Sequence, residues 1–199
     1  MFRFRHLTLA LTVGYPIALH WSIVQGNIRT AVWILLLLSL AHSLLALGAG
    51  GVQRIAELVA PALATATAIS LYLNDASILY LPPILINATL LLLFGRTLLP
   101  GQEPLITQFA RRVEGEKDED VLKYTSGLTR IWTLFFILML IEAIGLALFA
   151  PIEIWSLFTN LINYLLMLGL FLIEIVYRVI RFRRLPSPGS LKKIFRPMD

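Results

Sequence analysis

The chain has 199 residues, 58% hydrophobic and 15% charged, with a mean hydropathy of +0.79. A soluble domain of this length carries about 25% charge, so the composition argues against an ordinary soluble fold and points to a membrane protein. The absence of cysteine excludes disulfides, thiolate metal sites and cysteine nucleophiles, and the net charge of +5 raises the question of which side of a membrane holds the cations.

The N-terminus begins with Arg3 and Arg5 before an apolar run from Leu7 to Val13. A cleaved signal peptide would continue into small residues of the A-x-A kind. Pro16, His20 and Trp21 follow instead, so the segment reads as a retained first helix. A membrane-crossing helix needs about 20 mostly apolar residues. Six segments qualify, at about 8–24, 30–47, 52–73, 81–98, 131–149 and 154–176. Gly14 and Pro16 interrupt the first, which neighbouring helices can tolerate in a membrane. Pro82 and Pro83 suit the first turn of the fourth, where a missing N–H costs little. Pro151 marks a tight turn between the fifth and sixth.

Cytosolic loops collect Lys and Arg. With the N-terminus inside, six spans put 16 of the 17 basic residues in cytosolic segments and leave Arg29 alone outside. The expected fold is therefore all-α, a polytopic six-transmembrane-helix bundle over residues 1–184. It is multi-pass in a cytoplasmic membrane, with cytosolic N- and C-termini and a basic cytosolic tail at 185–199.

Two cytosolic pieces stand out. In the loop at 99–129, Pro100 and Gly101 make a turn. Leu105, Ile106, Phe109 and Val113 then share one helical face, with Arg111 and Arg112 towards the polar side. That is the pattern of an amphipathic helix in the membrane interface. Glu114 to Asp120 is acidic and exposed, and Asp118 or Asp120 is placed to cap a short helix running into the fifth span. The second piece is the cluster Arg178, Arg181, Arg183 and Arg184 after the last span. Anionic lipid headgroups are the nearer partner of these cations than nucleic acid.

Ionisable groups inside spans are costly and default to functional candidates. Glu142 lies about 16 Å from the cytosolic end of its helix at 1.5 Å per residue. It should bond Asn160, Asn163 or another polar neighbour. Asn160 and Asn163 share a face at i, i+3, and with Asn87 they read as helix-to-helix packing groups. His20, beside Trp21, reads as an interfacial residue. At the cytosolic boundary His42, Glu57, Arg96 and Glu174 are expected at one depth. They form either an acid–base site, with Glu103 nearby, or boundary ion pairs. No zinc-protease, nucleophile-elbow or phosphate-loop motif occurs. No metal-ligand spacing is present, so no cofactor is expected.

Three runs are distinctive: Phe94 to Ile106, Tyr124-Thr125 with Trp132 to Phe136, and Trp155 to Leu165. Together they resemble a family of small, uncharacterised bacterial inner-membrane proteins. Its members are often encoded beside aryl-polyene (xanthomonadin-like) pigment-lipid biosynthesis enzymes, including acyl carrier proteins and acyl-activating ligases. The likeness covers the second half well and the first half by hydropathy. It implies an accessory membrane component of lipid assembly in the bacterial inner membrane. Such a protein would hold soluble biosynthetic enzymes or carrier-bound acyl chains at the cytosolic leaflet. A boundary acyltransferase-like enzyme and a lipid transporter or flippase subunit are the alternatives, and association into oligomers stays open.

Overall fold

A computed structural model describes the backbone of residues 14–46, 54–114 and 119–182, and the side chains within 14–41, 61–112 and 119–181. His42 and Glu57 lie on helices but their side chains fall outside the described residues, as do Arg183, Arg184, Asp118 and the 185–199 tail.

The described residues form helices joined by short turns, with no strand among them. In chain order these are α1 (14–24), α2 (Ile28–Ala46), α3 (Arg54–Leu73), α4 (Leu81–Gly95), α5 (Leu105–Glu114), α6 (Glu119–Phe149), α7 (Ile152–Leu157) and α8 (Asn163–Phe182). A 3-10 turn, Ser77–Tyr80, leads into α4, and another, Arg96–Leu98, follows it. Among the described residues three helical stretches are long and apolar enough to cross a membrane: Ser77–Leu98, Glu119–Phe149 and Ile152–Arg181. The described side chains of α2 and α3 add the shorter apolar runs Ile28–Ala41 and Pro61–Leu73.

α6 starts well before the apolar run at 131. Its 31 residues extend about 46 Å, longer than the roughly 30 Å of hydrocarbon in a bilayer. Glu119 and Asp120 occupy its first turn, where carboxylates complement the helix dipole. The short helix expected ahead of the fifth span is thus continuous with it. α8 likewise runs past 176 and carries Arg178 and Arg181 within the helix.

Among the described residues burial is mixed, with polar side chains nearly as numerous as apolar ones. The buried polar residues are Ser22, Ser39, Thr67, Ser70, Thr97, Thr107, Thr125, Thr129, Ser156, Thr159 and Asn160, while Leu, Ile and Phe side chains dominate the exposed surface. Lipid tails are as apolar as Leu, so helices in a bilayer associate through close packing and small polar groups. Many of these hydroxyls donate to a carbonyl of their own helix one turn back, as Ser39 does to Leu35 (2.8 Å) and Thr129 to Thr125 (2.9 Å).

Two compact units emerge, Met1–Pro83 with Ala143–Leu165 and Ile84–Glu142 with Leu166–Asp199. In the first, Leu19 and Ile23 of α1, Ala31, Val32 and Leu35 of α2, Leu79 and Trp155 form a buried cluster. Tyr80 meets Trp155 edge-on, with ring centroids 4.7 Å apart. In the second, Phe94 of α4 packs on Phe136 and Trp132 of α6 at 5.2 and 6.4 Å.

The Pro100-Gly101 turn is present. Gln102 N–H bonds the Leu99 carbonyl at 3.1 Å, and Gly101 sits at φ +80°. A proline followed by a residue at positive φ is the type II pattern, which favours glycine. Gly101→Ala should lower stability by about 1–2 kcal/mol, the cost of a left-handed conformation for a residue with a Cβ, read as a lower unfolding temperature in detergent.

Candidate functional site

The most constructed polar feature is the attachment of α5 to its neighbours within the second unit. The first turn of a helix leaves its N–H groups without intrahelical partners. Pro104 supplies none, so the first orphan donors are Leu105 and Ile106. Leu105 N–H reaches Thr97 Oγ1 at 3.0 Å, and Ile106 N–H reaches Thr129 Oγ1 at 3.2 Å. One turn on, the Thr107 and Thr125 hydroxyls meet at 2.9 Å.

Each accepting hydroxyl has already committed its only proton. Thr97 donates to the Phe94 carbonyl (2.7 Å), Thr129 to Thr125, and Thr125 to Val121 (2.9 Å) with a longer branch to Leu122. A hydroxyl has one donor and two acceptor sites, so Thr107 is the donor to Thr125. Three hydroxyls therefore give a proton within their own segment and accept one from α5. The cap comes from outside the helix, at the end of α4 and on α6.

This clamp leaves α5 presenting Arg112 to solvent and Phe109 42% exposed. Arg111 bonds Glu103 across the turn, Nε to Oε1 at 2.6 Å, with both side chains substantially exposed. Gln108 adds a bond from Nε2 to the Glu103 carbonyl at 2.6 Å.

The boundary candidates divide into pairs. Glu174 is almost buried and meets Arg178 at 2.7 Å. Tyr124 and Tyr177 stack beside them, with centroids 5.4 Å apart and planes at 18°. Arg96 is exposed and takes no part in either ion pair. Arg181 is exposed and engaged with a neighbour, and Glu142, Asn87 and Asn163 are half-buried and likewise have polar interactions.

In the first unit, Asn160 is buried and its amide bonds the Ser156 carbonyl (3.1 Å) and Ser156 Oγ (3.2 Å). His20 Nδ1 shares a hydrogen bond with the same Ser156 Oγ at 3.1 Å. His20 thus joins α1 to α7, beyond the interfacial role its place beside Trp21 implies. Phe158–Ile162 is a π-helical turn. Thr159 Oγ1 and the Asn160 amide bond the Trp155 and Ser156 carbonyls one turn back.

Sequence reasoning missed the threonine clamp, the His20–Ser156 link and the tyrosine stack. One signal was present: Thr125, Thr129 and Thr133 at a spacing of four share a face of α6. Among the described residues no group of three or more His, Asp or Glu is placed to hold a metal. Comparison with family models, curated proteins and solved structures finds no match.

Thr129→Val removes the acceptor for Ile106 N–H while keeping the side-chain shape. It should cost about 1–3 kcal/mol, the penalty of an unsatisfied buried donor. Thr133→Val is the comparison, because the Thr133 hydroxyl bonds its own helix alone (to Thr129 O, 2.8 Å) and should be close to neutral. Thermal unfolding of the two variants side by side checks this, and equal losses would remove the special role of Thr129.

Proposed function

We propose that the chain is a six-span protein of the bacterial inner membrane with both termini in the cytosol. In this reading it is an accessory component of aryl-polyene or related lipid assembly, and α5 is an interfacial helix that holds soluble enzymes or carrier-bound acyl chains at the cytosolic leaflet. The observation that carries the proposal is the threonine clamp. It fixes a basic, amphipathic helix at the ends of two membrane-length helices, and a pre-positioned helix loses less freedom when a partner binds.

Acyl carrier proteins are acidic, and complementary charge speeds and orients docking. Arg112 is the unpaired cation of α5, Arg111 is shared with Glu103, and the sequence adds Arg181, Arg183 and Arg184 after the last span. Glu174 already neutralises Arg178, which favours docking over catalysis at this boundary. The transporter reading draws support from the π-helical turn beside buried Asn160, because such turns recur at functional sites.

Topology is tested first. The chain has no cysteine, so single substitutions report cleanly. Asn27→Cys, Asn74→Cys and Glu153→Cys should react with an impermeant maleimide from the periplasm, while Gly50→Cys, Glu116→Cys and Ser190→Cys should not. Labelling of position 116 together with position 74 would defeat the six-span reading.

Docking is tested by pull-down with the cognate acyl carrier protein in nanodiscs free of anionic lipid. Binding should weaken with salt and drop at least severalfold in Arg112→Glu, and further when Arg111→Glu is added, with membrane insertion unchanged. No binding at low salt would reduce these cations to a topological and lipid-contacting role.

A further inference from the structure

A small cleft of about 200 Å³ opens between the start of α2 and the end of α3, in the first unit. Its polar rim is Arg29, Ser70, Asn74 and Asp75, and Val32 and Leu71 line its apolar wall. Arg29 and Asp75 border the same cleft, yet among the described residues no ion pair joins them.

Both charges sit where a reason is needed. Arg29 is in the first turn of α2, and a helix N-terminus disfavours a cation and attracts anions. It is also the single basic residue that the charge partition leaves on the outer side. Asp75 is fixed in position. Its Oδ1 accepts from the Ser77 N–H at 2.9 Å and from the Ser77 hydroxyl at 2.7 Å. Those two bonds hold its carboxyl below the ordinary aspartate range, so it is ionised at neutral pH. No hydrogen bond among the described residues occupies Oδ2.

The backbone around Asp75 is equally constrained. Asp75 N–H bonds the Ser70 carbonyl at 3.0 Å, the Ser70 hydroxyl bonds the Asp75 carbonyl, and Asn74 takes φ +55°, a conformation asparagine tolerates better than most residues. The cleft rim therefore carries an anchored anion, Asp75, and an exposed cation, Arg29, that does not pair with it, with Val32 and Leu71 as the apolar wall between helices.

We propose that this cleft binds a phosphoryl–ammonium zwitterion of the phosphoethanolamine type, with the phosphoryl group on Arg29 and the first turn of α2 and the ammonium on Asp75. An anion alone would satisfy Arg29 and meet repulsion from Asp75. An amine alone would do the reverse. A ligand carrying both charges satisfies both, and charge-assisted bonds of this kind are the strong ones. The zwitterion is either the headgroup of a phospholipid, its acyl chains lying against Val32 and Leu71, or a free phosphoethanolamine. Placement in the outer leaflet rests on the six-span topology. Recognition itself does not, and it is independent of carrier docking on the cytosolic side.

The test uses the full chain purified in detergent, with binding of short-chain phosphatidylethanolamine, short-chain phosphatidylglycerol and free O-phosphoethanolamine measured by native mass spectrometry. Phosphatidylethanolamine should bind about tenfold tighter than phosphatidylglycerol, the scale of one charge-assisted contact. Asp75→Asn retains an oxygen for the Ser77 bonds, so it should fold normally and bind the two lipids alike. Arg29→Gln should weaken both. Competition by free O-phosphoethanolamine at similar concentration identifies the soluble zwitterion as sufficient, and lack of competition identifies the lipid headgroup, either outcome supporting the site. Equal binding of the two lipids by the native chain, or selectivity that survives Asp75→Asn, overturns the proposal.

Discussion

A backbone inside hydrocarbon has no water to satisfy its polar groups, so every N–H and C=O must find a partner within the protein. Most of this chain meets that demand with helix. The places where helix ends are where the constraint becomes local, and there small hydroxyls take over. Thr97 and Thr129 close the open end of α5, and Thr159 and Asn160 add side-chain bonds to the Trp155 and Ser156 carbonyls at the π-helical turn. Remove the Thr97 and Thr129 hydroxyls and the start of α5 carries orphan N–H groups, each costing about 1–3 kcal/mol where buried.

The same hydroxyls explain why so many polar residues are buried beside the apolar ones while the exposed surface is largely apolar. Serine and threonine are small enough to let helices approach, and back-bonding to a carbonyl one turn earlier hides the hydroxyl proton. Each such side chain keeps a free lone pair, which a second segment can use. Thr125 and Thr129 do both at once, bonding their own helix and receiving α5. Through them the interior of α6 determines where Arg112 and Phe109 stand.

The helical class, the Pro82-Pro83 helix start, the Pro151 break and the Pro100-Gly101 turn were all legible in the sequence, because hydropathy and proline or glycine geometry act over a few neighbouring residues. Helix lengths were less so. Hydropathy locates the apolar part of α6 at 131, but a helix continues wherever nothing stops it, and residues 119–130 contain no proline. The candidate site was legible as a list of charges and not as partners. Glu174 with Arg178 is an i, i+4 pair that spacing permits, whereas Glu103 with Arg111 spans eight residues around a turn and needs the fold to bring it together. The threonines attracted no notice because they are uncharged, common in membrane helices, and act here through contacts 8 to 23 residues apart.

Charge is handled differently at different points of the chain. Glu103, Glu119 and Glu174 each meet a cation within 2.8 Å, at Arg111, Lys123 and Arg178. The two exposed pairs, Glu103 with Arg111 and Glu119 with Lys123, contribute little to stability, typically below about 1 kcal/mol. Their main effect is to reduce the number of free cations and so to leave unpaired positive charge at Arg96, Arg112 and Arg130, besides Arg29, among the described residues. Arg29 and Asp75 follow the opposite pattern, since opposite charges share one small cleft without joining. Two flexible surface side chains would meet if only their own attraction were at stake. Here the carboxylate is held by Ser77 and the loop by Ser70, so the anion on the cleft rim is fixed by its own neighbours and not by Arg29.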